Sequence, residues 1–170
     1  MPGLKAALLA ARGDRPILDG KDHNCWDWNL PETQWLKEQM SLAAKGLLGN
    51  SQPIEVSKYW GRSWGNILQQ GSGFSYQGLH AHHEADFFAI FYVDANEVTE
   101  ESGALVLHDP RFLNNTHIMN REGKEIIQPK TGELIMAPGY VWHEVLPYQS
   151  FEPRMTIACN FQYSLREIDQ

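Results

Sequence analysis

Leu79-His80-Ala81-His82-His83-Glu84 places three of the chain's seven histidines within four consecutive positions. Neutral imidazole is a common ligand for divalent transition metals, and residues two apart on a strand share a face. His80 and His82 can therefore converge on one ion while His83 points away. A mononuclear catalytic centre needs about three protein ligands and open positions for substrate. His143 is the candidate third ligand: it follows Gly132-Glu133-Leu134-Ile135-Met136-Ala137-Pro138-Gly139, which reads as a strand ending in a turn, and it starts the next strand. A single strand histidine is more often a satisfied polar residue than a ligand, but a His-x-His pair with a distant partner favours metal. Glu84 keeps a second option open, because His82-His83-Glu84 is a His-x-carboxylate pair of the kind used in a two-His, one-carboxylate triad. Asp86 and Asp109 are further carboxylates within reach, whereas His23, His108 and His117 read as structural or surface residues.

Eleven residues after His143, Arg154-Met155-Thr156 places a guanidinium and a hydroxyl on one face of a predicted strand. The planar fork of arginine suits two-point binding of a carboxylate, and a hydroxyl two residues on can add a further hydrogen bond. The simpler alternative is a surface salt bridge from Arg154 to Glu144 or Glu152.

These residues need a scaffold, and 170 residues suffice for one domain with a real core. Residues 1–50 read as a helical N-terminal part and 53–163 as a β core. Leu4 to Ala11 reads as a helix, too short in its apolar part for a signal sequence. Pro31-Glu32-Thr33, followed by Trp35, Leu36, Met40, Leu42, Ala43, Leu47 and Leu48, predicts an amphipathic helix stopped by Gly49-Asn50. Between the helices, Asp19 to Asn24 is turn-like, and Trp26 and Trp28 read as packing residues. Strands are predicted at 54–60, 63–69, 76–83, 86–94, 103–108, 124–128, 132–137, 141–146 and 154–163, a mainly β pattern of sandwich, jelly-roll or barrel type. The loop from Arg111 to Gly123 is a candidate rim over a site. The helices could cover the outer face of the β structure or form a homodimer contact.

Composition narrows the function. A formal charge of −7 with no basic run argues against nucleic acid. No apolar stretch reaches the roughly 18 residues that would suggest a membrane span. Cys25 and Cys159 match no metal-thiolate spacing and read as reduced thiols, so the expected location is cytoplasmic.

Taken together, the chain resembles the non-haem Fe(II), 2-oxoglutarate-dependent oxygenases, and is most similar to a bacterial and phage group of largely unassigned substrate. The resemblance covers about residues 60–163 and rests on Trp64-Gly65-Asn66-Ile67, His80-Ala81-His82, Ile90-Phe91-Tyr92-Val93, Ser102 to Arg111, Gly132 to Pro138, His143-Glu144-Val145 and Arg154 to Phe161. It implies a double-stranded β-helix, or jelly roll, with N-terminal helices. It implies Fe(II) held by His80, His82 and His143, with Glu84 in reserve. The wider superfamily has His-x-Asp or His-x-Glu where this chain has His80-Ala81-His82. The far carboxylate of 2-oxoglutarate would lie on Arg154, assisted by Thr156 and Tyr92, with its 2-oxo-acid end on the iron. The implied reaction uses O2, converts 2-oxoglutarate to succinate and CO2, and hydroxylates a C–H bond of a small molecule, amino acid or peptide. Trp64 and Asn66 are candidates for the substrate pocket.

A cupin-type metal enzyme independent of 2-oxoglutarate is the main rival, with Asp86 as its carboxylate and Pro138-Gly139 before its distal histidine. Arg154-x-Thr156 separates the two, because a cupin does not require it. A non-catalytic jelly-roll binding module is the second rival.

Overall fold

The computed structural model describes residues 1–15, 18–19, 24–48, 62–73, 75–110 and 123–162. The predicted strand at 54–60, the Gly49-Asn50 stop, the Arg111–Gly123 loop apart from Gly123, His23 and His117 lie outside them.

Two helices, α1 (Pro2–Arg12) and α2 (Pro31–Leu47), flank a 3-10 turn at Cys25–Asp27 and a two-residue strand, β1 (Leu18–Asp19). The short strand was not expected from the sequence, which read this part as two helices joined by a turn. Then follow β2 (Ser63–Leu68), β3 (Gln77–His80), β4 (Phe87–Asp94), β5 (Leu105–His108), β6 (Lys124–Ile127), β7 (Leu134–Pro138), β8 (His143–Val145) and β9 (Arg154–Phe161). They form a five-stranded sheet in the order β1-β2-β9-β4-β7 and a four-stranded sheet in the order β3-β8-β5-β6. All the strand pairs among the described residues are antiparallel. This is the mainly β jelly roll expected from the sequence.

The larger sheet is buried on both faces at its centre. Phe87, Ala89, Phe91 and Val93 of β4, with Met155, Ile157, Cys159 and Phe161 of β9, pack in one cluster with Leu4 and Leu8 of α1 and Leu36 and Met40 of α2. The intervening residues Phe88, Ile90 and Tyr92 belong to a second cluster with Leu68, Leu105 and Val145, between the sheets. Strand alternation thus sends odd positions to the helices and even positions to the interior. The helices accordingly cover the outer face of the larger sheet. In α2 the buried stripe is Thr33, Leu36, Met40 and Ala44, whereas Leu42 is 60% and Leu47 50% exposed. Leu42 stands about 200° around the helix from Met40, so composition overstated the apolar face. Cys25 and Cys159 are free and buried.

β3 ends at His80, short of the predicted 76–83. His82 lies beyond the strand, and its position comes from a different set of bonds. Its N–H donates to Gly139 O at 2.9 Å, its carbonyl accepts from Ala85 N–H at 2.9 Å, and Gly139 N–H donates to Asp86 O at 2.9 Å. The β7–β8 turn is therefore clasped against the segment that carries His82. A Cβ at Gly139 would overlap the Ala85 carbonyl oxygen and stand 2.6 Å from that of His82. Because both neighbours are backbone, no side chain can swing aside. Gly139→Ala should destabilise the protein by about 3 kcal/mol, the upper range for overpacking, measured by urea unfolding. An unchanged midpoint would show that the clasp is loose.

Candidate metal centre

Two paired strands and the clasped segment bring three histidines together. His80 on β3 is directly opposite His143 on β8, and His82 arrives from the segment held by Gly139. The imidazole centroids are 4.3 Å apart for His80 and His143, 5.1 Å for His80 and His82, and 5.2 Å for His82 and His143. One ring nitrogen from each lies within 4.8 Å of the others, the one such group among the described residues. Glu84 is exposed on the turn after His82 and is not in that group.

The surroundings fix these rings. Phe88 of β4 stacks on His143 with centroids 4.0 Å apart and planes at 20°, and it also lies 5.7 Å from the His82 ring. Trp64 of β2 stands 6.0 Å from the His82 ring. His80 Nδ1 is 2.8 Å from Gly78 O, and His143 Nδ1 is 3.0 Å from Val141 O. A carbonyl only accepts, so each of these Nδ1 atoms carries the proton and each Nε2 offers a lone pair. Three imidazole nitrogens suit a borderline divalent cation such as Fe(II), and in His80 and His143 the outer N–H is already used. Burial is the main reason that His82 and His143 are lowered to about 4. For His82 the neighbouring His80 adds to the effect; for His143 the Val141 carbonyl opposes it.

The other half of the site lies on the same inner face of the larger sheet. Arg154 is 2% exposed, and its Nη2 donates to Tyr92 Oη at 3.2 Å. Its guanidinium also stands 4.9 Å from the centroid of the Tyr92 ring. No carboxylate among the described residues pairs with it, since the ion pairs there join Lys5 to Asp94 and His108 to Glu144. The surface salt bridge to Glu144 is thereby excluded: Glu144 accepts from His108 at 3.0 Å. Arg154 Nε and Asn66 Oδ1 are buried without a hydrogen-bond partner among the described residues. Both residues, with Thr156 and Gln77, line one cavity, whose apolar walls are Leu68, Ile90, Val145 and Ala158.

Of the sequence candidates, Tyr92 hydrogen-bonds Arg154, Thr156 and Asn66 line the cavity with it, and Trp64 stands beside His82. Asn160 and Phe88 were not singled out. The signal was available for both: alternation along β9 and β4 puts them on the face that carries Arg154 and Tyr92.

A family model described as "Putative 2OG-Fe(II) oxygenase" matches residues 62–160, more than half of the chain. Among solved structures, a prolyl-4-hydroxylase from Pseudomonas putida is similar over 96% of this chain and 80% of its own, at 17% identity and a TM-score of 0.58. A 2OG-Fe(II) oxygenase family oxidoreductase from Burkholderia pseudomallei is similar over 94% and 76%, at 17% identity and a TM-score of 0.54. SnoN, a non-heme alpha-ketoglutarate-dependent epimerase from nogalamycin biosynthesis, is similar over 99% and 77%, at 11% identity and a TM-score of 0.63. At these identities the likeness is one of fold. No curated protein matches the chain. No helix among the described residues is long and apolar enough to cross a membrane.

The lowered imidazoles give a stability slope with a definite sign. Between about pH 4 and the ordinary histidine value of 6.5, the unfolded chain binds more protons at His82 and His143 than the folded one, so stability rises with pH. Metal-free protein should unfold at lower urea at pH 5 than at pH 7, and the difference should shrink in a His82→Gln, His143→Gln variant. An equal pH difference in that variant would show that these rings do not carry it.

Proposed function

The chain belongs to the 2OG-Fe(II) oxygenase family, and from that premise we propose that His80, His82 and His143 hold the iron while Arg154, Tyr92 and Thr156 hold 2-oxoglutarate. The family's cofactors are Fe(II), 2-oxoglutarate as cosubstrate and O2. The observation that carries the residue assignment is the buried guanidinium of Arg154, which no carboxylate among the described residues neutralises. Burying an ion costs several kcal/mol even after relaxation. The tyrosine hydrogen bond contributes about 1.5–3 kcal/mol as a bond to a charged group, which leaves a deficit. Burial is also the main influence on Arg154, acting against its charged form, with Tyr92 acting in the opposite direction. A carboxylate entering the cavity would supply the missing countercharge and engage the idle Nε.

The cavity's composition matches one end of 2-oxoglutarate. Arg154 and Thr156 present donors to a carboxylate, and Ile90, Val145 and Ala158 offer apolar contact to methylene groups. The bound Fe(II), with O2 and the 2-oxo acid, supplies the oxidising power of the family's reaction. The chain's own residues orient the cosubstrate and keep it in one register. Phe88, stacked on His143, covers one side of the histidine cluster with an apolar ring. The substrate is a small molecule, amino acid or peptide, and the outcome is hydroxylation of one of its C–H bonds.

Anaerobic addition of Fe(II) and 2-oxoglutarate should give the weak metal-to-ligand charge-transfer absorption of a chelated 2-oxo acid. Arg154→Met should weaken 2-oxoglutarate affinity at least about 100-fold, or about 2.7 kcal/mol, while leaving the ligand-free protein as stable or more stable, because an unneutralised buried charge is removed. Iron binding without any such absorption in the wild type would instead favour a cupin-type enzyme. His143→Ala should remove nearly all iron, measured by metal analysis after gel filtration. Stoichiometric iron in that variant would refute the ligand set.

A further inference from the structure

One polar contact to the histidine cluster has no role in the assignment above. Asn160, on the inner face of β9, places its side-chain amide against His82, with Nδ2 3.1 Å from Nδ1 of the ring. The other two rings have a backbone carbonyl at that position, which fixes their Nδ1–H form. His82 has an asparagine instead, and an amide has two faces: one end donates and the other accepts.

The two orientations have opposite consequences for a metal. With the amide nitrogen toward the ring, His82 Nδ1 accepts, the ring proton moves to Nε2, and that nitrogen cannot bind a cation. Asn160 Oδ1 is then buried without a hydrogen-bond partner among the described residues. Half a turn of the amide exchanges its nitrogen and oxygen, and hydrogen bonding decides between the two. In the turned form Oδ1 accepts from His82 Nδ1–H. The buried carbonyl gains its donor, and His82 takes the same form as His80 and His143, with all three Nε2 lone pairs available.

We propose that Asn160 is a positioning residue of the metal centre, whose amide carbonyl fixes His82 as the Nδ1–H form and aims its Nε2 at the ion. The proposal rests on reading the three histidines as ligands. His82 needs such a partner more than its neighbours do, because it lies past the end of β3 and no ladder position sets its ring. A carbonyl acceptor behind the ring also raises the basicity of the ligating nitrogen. In a triad of three neutral imidazoles, that partly compensates for the lack of an anionic ligand.

The test uses the full chain and Co(II) as the probe, with Asn160→Leu, Asn160→Asp and His143→Ala beside the wild type. In metal-free wild type at neutral pH, nitrogen-15 NMR of the imidazoles should show His82 protonated at Nδ1. Asn160→Leu should lose that preference and weaken Co(II) binding about 10- to 100-fold. Asn160→Asp, whose carboxylate can only accept, should keep the Nδ1–H form and bind Co(II) within a few-fold of wild type, which also rules out a folding defect as the cause. A wild-type His82 protonated at Nε2, unchanged affinity in Asn160→Leu, or equal weakening in both Asn160 variants would overturn the role. His143→Ala separates the two levels. If it loses Co(II) while Asn160→Leu does not, only the role of Asn160 falls; if it keeps stoichiometric Co(II), the ligand set fails and the role falls with it.

Discussion

The pairing of β4 with β9 sets the spacing of everything at this site. Both strands are buried on two faces, so their register cannot slip by one residue without turning large apolar side chains out of the helix-covered cluster and polar ones into it. Tyr92 is paired with Thr156, Ile90 with Ala158 and Phe88 with Asn160. Read along the inner face, these pairs run from the arginine end to the histidine end. From Arg154 to Asn160 the strand advances about 20 Å at the usual rise. One rigid element thus carries both the guanidinium and the amide that touches His82, while the opposite sheet contributes His80 and His143.

The two ends of this inner face differ in charge, and the difference gives the face a direction. At one end a guanidinium is buried without an anion among the described residues. At the other, burial keeps His82 and His143 neutral, so they bring no charge to a cation that they would bind. A ligand with a carboxylate at each end complements both. The apolar residues between them, Ile90 and Ala158, have nothing to offer a polar chain but suit methylene groups. Desolvation raises the cost of each unmet polar group and the strength of each contact a ligand makes. The same burial therefore leaves Arg154 poorly satisfied in the ligand-free chain and would make it an effective anchor once a carboxylate arrives.

Much of this could be read from the sequence, and the failures have physical causes. The strand pattern yielded the jelly roll because period-two alternation survives in β4 and β9 even where both faces are apolar. The coming together of His80, His82 and His143 was expected, but for a partly wrong reason. Strand alternation was to bring His80 and His82 to one face, whereas β3 stops at His80 and backbone bonds to Gly139 and Ala85 place His82. Such a clasp depends on a distant turn and leaves no local spacing signal. That Asn66 stands at the arginine end was not legible, since its pairing with Thr156 depends on strand order rather than on composition. Leu42 and Leu47 entered the expected apolar face of α2 because counting hydrophobic residues does not say which stripe meets the sheet. β1 was missed because two residues are too few to show a period.

The central claim is that one inner face of β4 and β9 holds a single dicarboxylate between a guanidinium and a metal. A crystal structure grown anaerobically with Fe(II) and 2-oxoglutarate, with the metal located by anomalous scattering at the iron edge, tests it most directly. The expected result is one iron bound by His80, His82 and His143, with one carboxylate of 2-oxoglutarate on Arg154 and its 2-oxo-acid end on the metal. Iron held by other residues, or 2-oxoglutarate bound away from Arg154, would contradict it.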